Sequence, residues 1–280
     1  LAAALWIAPA PAQEPPAAVT LDSSLRAGYL FGRQLWELKA PRSANFYQAR
    51  SEFNPRLPML SAVLEFSPYM RLSGRAAGST SILESSSTFV HLGADWVPSA
   101  WDSRPAFNYW EAAGLFHLSG GDGYRFSLVG GYRQETWTYS GGPLGINDAT
   151  VINSDWRFME RFNTVMPFIA LQTAVFHPWW KARFEALGSP RVGREVSTRF
   201  ESAADSVELR GWAESGGVLE FDVEGTVFIS NRLRLGVFGR YTYRELRGDI
   251  TRTARDGETR HELLVREDFA ALGLNFTYLF

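Results

Sequence analysis

The segment EDFAALGLNFTYLF at the end of the chain alternates without a break. Phe280, Tyr278, Phe276, Leu274 and Leu272 fall on one face of an extended backbone, and Thr277, Asn275, Gly273 and Ala271 on the other. A period of two marks a strand with one apolar face and one small or polar face. The same alternation recurs upstream. In SNRLRLGVFGRYTYRELRG, Leu233, Leu235, Val237, Tyr241 and Tyr243 oppose Arg232, Arg234, Phe238, Arg240 and Arg244. In GVLEFDVEGTVFI, Leu219, Phe221, Val223 and Val227 oppose Glu220, Asp222, Glu224 and Thr226. YMRLSGRAAGSTS and YRFSLVGGYRQETW repeat the pattern, the first with Arg71, Ser73 and Arg75 on its polar face, the second with Arg125, Ser127, Arg133 and Glu135. Between Ser23 and Phe280 no stretch has the period of an amphipathic helix.

Applied along the chain, this rule predicts about ten strands, over 21–36, 57–66, 69–80, 107–118, 124–139, 162–176, 179–187, 217–229, 233–247 and 268–280. The connections alternate in length. Those at 67–68, 120–123, 177–178 and 230–232 are short, and those at 37–56, 81–106, 140–161, 188–216 and 248–267 are long and polar. This is the plan of an all-β, transmembrane, antiparallel up-and-down β-barrel, with long loops outside the cell and both termini at the periplasmic end.

The barrel assigns the charges. Unpaired ions are costly in lipid, so Arg and Glu must face the lumen while Leu, Val and aromatic residues face the bilayer. Glu220, Asp222 and Glu224 beside Arg234, Arg240 and Arg244 predict a cross-strand ionic network. A barrel this small is filled by side chains and leaves no porin-like channel. Trp36, Tyr109, Trp110, Tyr124, Trp137, Tyr139, Trp179, Trp180, Tyr241 and Tyr243 fall near predicted strand ends, as interfacial girdles do.

Composition narrows the classes. Over 280 residues the net charge is only -2, so no basic surface suggests a nucleic-acid partner. With no Cys, disulfides, thiolate metal sites and Cys nucleophiles are excluded. The opening LAAALWIAPAPAQEPPAAVT has a short apolar run and an Ala10-Pro11-Ala12 site suited to a signal peptidase. It predicts a residual signal peptide over 1–12, a flexible lead-in over 13–20 and a barrel over 21–280. No metal-ligand spacing, phosphate loop or nucleophile elbow is present.

Three stretches carry a family resemblance. ADWVPSAWDS, YRFSLVGGYRQETWTYSGG and MPFIALQTAVF, in their order and loop spacing, resemble the omptin family of bacterial outer-membrane endopeptidases. The aromatic C-terminus also resembles the sorting signal that barrel-assembly machinery reads. The resemblance implies a monomer in the outer membrane of a Gram-negative-type bacterium, contact with lipopolysaccharide, and peptide cleavage at the extracellular mouth by an Asp pair facing an Asp-His pair.

Carried over residue by residue, Asp95 matches the second Asp of the first pair, and Gly93 stands where the first should be. The fourth long loop, GSPRVGREVSTRFESAADSVELRG, should hold the Asp-His pair but contains no His; its acids before Glu208 are Glu195, Glu201 and Asp205. His91, four residues before Asp95, and His261, beside Glu262, are the remaining imidazoles that could serve a relocated site, although a loop His near an acid is more often a solvated pair. His117 and His177 fall at the short-turn end, and Asp155, Asp249 and Asp256 read as solvated loop charges. The sequence therefore favours a non-proteolytic surface-binding or structural barrel with no cofactor. A divergent endopeptidase acting on a peptide or protein ligand is the alternative, and a narrow pore is the third reading.

Overall fold

The computed structural model describes residues 23–39, 47–53, 56–67, 69–78, 85–92, 95–143, 157–201, 206–255 and 257–280. The expected signal peptide and lead-in lie outside them. Thirteen strand segments run through the described chain. They are β1 (Ser24–Lys39), β2 (Tyr47–Phe53), β3 (Arg56–Ser67), β4 (Met70–Gly78), β5 (Ser85–Leu92), β6 (Asp95–Gly121), β7 (Tyr124–Pro143), β8 (Arg157–His177), β9 (Trp180–Ser189), β10 (Gly193–Glu201), β11 (Ser206–Phe228), β12 (Leu233–Ala254) and β13 (Gly257–Leu279).

All pair antiparallel, in one sheet. Three consecutive pairs of segments each act as one interrupted stave. β2 and β3 both lie against β1, β4 and β5 against β6, and β9 and β10 between β8 and β11. The thirteen segments thus make ten staves. The sheet closes where β1 meets β13, with Ser24 opposite Leu279, so among the described residues the circuit of staves has no open edge strand. The four short connections share one end with both ends of the barrel chain, where the Phe280 amide donates to the Ser23 carbonyl at 3.2 Å.

Most of what the sequence marks as long loop is strand. The segment 248–267 is the upper part of a hairpin paired without interruption to Ala254 opposite Gly257. The segment 188–216 contains β10 and the upper part of β11, 81–106 contains β5 and the upper part of β6, and 37–56 contains β2. The reason is a change of phase in the alternation. On β13, Leu272, Leu274, Phe276 and Tyr278 face outward and are exposed, while farther from the short turns Leu263 and Val265 face inward and are buried. Leu274 is 53% exposed and Val265 0%, on one unbroken strand. β12 repeats this, with Leu235, Val237, Tyr241 and Tyr243 outside and Leu246 and Ile250 inside.

β7 and β8 follow the same rule. The outward residues Tyr132, Ile169 and Leu171 give way to the inward Trp137, Tyr139, Phe162 and Met166. A strand wall that meets lipid carries its apolar residues outside, and one that meets water carries them inside. The phase switch therefore places the upper rim of an apolar belt near Tyr243 and Asp268. Above that rim the barrel continues as a water-soluble one.

One irregularity keeps β11 in step. Its register with β12 shifts between Ala213 and Ser215, so that Val218 and Glu220 below the bulge and Ala213 and Leu209 above it all point inward. Gly216, beside the bulge, has φ of 133°, and a Cβ there would collide with the carbonyl oxygen of Glu245.

Candidate functional site

The lumen is built around Arg133 on β7, whose side chain is 1% exposed. Its Nε and Nη2 donate to Glu111 Oε2 at 3.0 and 2.8 Å, and its Nη1 donates to Glu220 Oε1 at 2.6 Å. Glu135 is a fourth member, 3.4 Å from Nη1. Glu111 is on β6 and Glu220 on β11, so one guanidinium ties staves on different sides of the interior. The rings of Tyr109 and Phe168 lie 5.4 Å from its centre. Buried ions persist in such a place only when paired and hydrogen-bonded.

The network spreads from this hub. Arg71 donates to Glu111 at 3.0 Å and to Glu185 at 3.3 Å, and Gln172 donates to Glu185 at 2.7 Å. Arg240 grips Asp222 through two hydrogen bonds of 2.7 and 2.8 Å. Arg244 bridges Glu135 and Glu267, and Arg194 also binds Glu267. Towards the short-turn mouth, Arg26 and Arg183 share Glu224 at 2.7 and 3.0 Å.

Beyond the phase switch a second, apolar layer fills the interior. Tyr139, Phe162, Val196, Leu209, Leu246, Ile250 and Leu263 are all buried there. Trp137 lies 4.4 Å from the Phe107 ring and 6.0 Å from Tyr139, almost parallel to it. Trp137 and Tyr139 are therefore core residues, and Tyr109 faces the Arg cluster; none of the three belongs to an interfacial girdle. The Trp36 side chain is outside the described set. Glu160 sits in this upper layer, beyond the apolar belt, with Arg161 on the exposed face beside it. Thr198 Oγ1 donates to it at 3.0 Å. Burial pushes its carboxyl up to about 8, against the smaller opposing effects of the Thr198 hydrogen bond and the Arg194 charge.

Of the residues singled out in the sequence, Glu220, Asp222, Glu224, Arg240 and Arg244 come together in the lumen. Arg234 stands at the foot of β12 near the short turns, with its guanidinium 4.6 Å over the Phe228 ring. The hub itself was within reach of the alternation, since Arg71, Arg133 and Glu135 stand on polar faces already identified. Arg194 and Glu267 fall in segments that read as loop and so escaped it.

His91 ends near the top of β5 and Asp95 begins β6, in register with Trp96 and Leu92 respectively. Their side chains lie outside the described set. His261 is on β13, separated from β6 around the wall by β1, β2 and β5. Its Nε2 is 3.1 Å from Thr259 Oγ1, and among the described residues no carboxylate contacts it. Asp249 pairs with Arg260 at 2.6 Å on the exposed surface, and Glu195 is exposed on the outer face of β10. Gly93, Asp155, Asp205 and Asp256 lie outside the described residues. At the short-turn end, His117 Nδ1 is 2.9 Å from Ser127 Oγ, and His177 stacks on Trp180 at 5.6 Å.

No family model and no curated protein matches the sequence. Among solved structures, the outer membrane protease OmpT of Escherichia coli superposes with a TM-score of 0.73 over 93% of this chain and 96% of its own, at 12% identity. The fold is that of an omptin-like outer-membrane barrel. The translocator domain of the autotransporter NalP from Neisseria meningitidis also matches, at 8% identity over 92% of this chain and 88% of its own, with a TM-score of only 0.30. In this omptin-like barrel the identity with OmpT is low enough that the likeness concerns architecture alone.

Proposed function

We propose that this omptin-like outer-membrane barrel is closed to solutes and acts at the cell surface, as a monomeric binding or structural protein exposing its long hairpins, rather than as a channel or a protease. The Arg133 hub carries this reading. It joins Glu111 and Glu220 across the interior, and the apolar layer of Tyr139, Phe162 and Leu263 stands in series with it. Two unlike plugs leave transport little basis, and His261, which no carboxylate contacts among the described residues, gives little support to a relocated dyad. We place lipopolysaccharide, as the lipid partner, at the rim of the apolar belt. There Arg247 and Tyr243 line an outer groove of 620 Å³ beside the bulge.

The alternative, a surface endopeptidase using Asp95 with His91 or His261, draws on the likeness to a barrel named as a protease. Barrel folded in detergent with lipopolysaccharide and incubated with a peptide library should cleave nothing. Cleavage lost in Asp95→Ala would replace the binding reading with the enzymatic one.

A further inference from the structure

Below the Arg133 hub, towards the short-turn mouth, the lumen holds a small chamber. Arg26, Arg75, Arg183 and Arg240 line it against only two carboxylates, Asp222 and Glu224. Those acids are already engaged: Glu224 by Arg26 and Arg183, and Asp222 by both nitrogens that Arg240 presents to it. Arg240 also lies 3.7 Å from Glu220.

Arg75 is different. Its guanidinium makes no ion pair with any described residue and rests between two rings, 5.1 Å from Tyr109 and 5.4 Å from Phe238. The Nε atoms of Arg26, Arg75 and Arg183 are all buried without a protein acceptor. Three arginines that carry a donor lacking an acceptor, and an excess of positive charge, thus line one space. Each would be costly alone, and one anion satisfies both.

We propose that this chamber binds a monatomic halide, with Arg75 as the residue whose charge it neutralises. The size of the space selects the class. Its cavity volume is about 20 Å³, on the scale of a single water-sized species, which suits one small ion. The side chains of Arg26 and Arg183 remain 23% and 27% exposed, so the chamber communicates with the short-turn mouth and an ion can enter from that side. The halide completes the charge balance of the lower lumen and holds four staves together, those carrying β1, β4, β9 and β12.

Two measurements on the folded barrel test this together. The first compares its melting temperature in sodium chloride and in sodium gluconate at equal concentration, the gluconate ion being too large to enter. The wild type should melt about 2–4 °C higher in chloride at roughly ten times the dissociation constant. Arg75→Met keeps the packing against both rings and removes the charge. Ser61→Asp places a carboxylate on β3 in direct register with Arg75 and supplies the missing counter-charge from within. Both variants should lose the difference between salts.

The second measurement is the anomalous signal of bromide in crystals grown from sodium bromide, which should show a peak among the four guanidiniums in the wild type and not in Arg75→Met. Equal melting in the two salts, an unchanged difference in both variants, or the lack of a bromine peak in the chamber would each overturn the proposal and leave the space to water.

Discussion

Arg133 Nη1 and Glu220 Oε1 lie 2.6 Å apart across the interior of the barrel, though 87 residues separate them in the chain and two staves stand between their strands. That one bond sets the character of the lumen. It is short and fully buried, and it belongs to a guanidinium already committed to Glu111, so neither partner can leave without stranding several charges.

The first expectation concerns that hub. Arg133→Met would leave Glu111, Glu135 and Glu220 without their shared cation, at a cost of about 3–5 kcal/mol. Urea unfolding in detergent, followed by tryptophan fluorescence, measures it. The double replacement Arg133→Met with Glu220→Gln should recover part of the loss, because the deepest acid is then neutral. A double variant no more stable than the single would mean that the Glu220 charge is not what makes the loss large.

The phase switch on β13 makes a second, position-specific expectation. Leu274→Arg puts a cation on the lipid face and should cost about 2–4 kcal/mol, whereas Glu258→Arg, exposed near the far end of the same strand, should change stability by less than about 0.5 kcal/mol. Unfolding from lipid vesicles separates the two. Equal costs would place the rim of the belt elsewhere.

Glu160 gives a pH dependence with a definite sign. Its carboxyl is raised to about 8 in the folded barrel from an ordinary value of 4.5, so the folded state holds the proton more tightly than the unfolded one. Its contribution is complete below pH 4.5 and declines as pH rises towards 8, by up to about 1.4 kcal/mol per pH unit. The stability difference between wild type and Glu160→Gln, measured from pH 4.5 to 9, should carry that slope. A flat difference would show that Glu160 is charged throughout.

The belt and the lumen acids were legible because lipid outside and water inside enforce a period of two with a fixed sign, as in Leu272 to Phe280 or Glu220 to Glu224. The upper barrel was not. Leu263, Val265, Leu246 and Ile250 keep the backbone alternation but exchange the side on which the apolar residue stands, and a search for one continuous apolar face ends where that exchange occurs. Trp137 and Tyr139 were misplaced for the same reason: a strand-end aromatic signals an interface only if the strand ends there. Which acid meets which guanidinium was out of reach, since Arg133 and Glu220 are joined by barrel closure and not by any local pattern. His91 and Asp95 could be placed in register near the top of one hairpin, but register alone does not make a catalytic pair.

The closed lumen is tested most directly by single-channel recording of the wild-type barrel in planar bilayers at high salt. The expected record is a flat baseline across the accessible voltage range, with insertion verified separately by heat-modifiable migration of the recovered protein. Discrete, reproducible conductance steps would contradict a lumen sealed by the Arg133 network and the apolar layer above it.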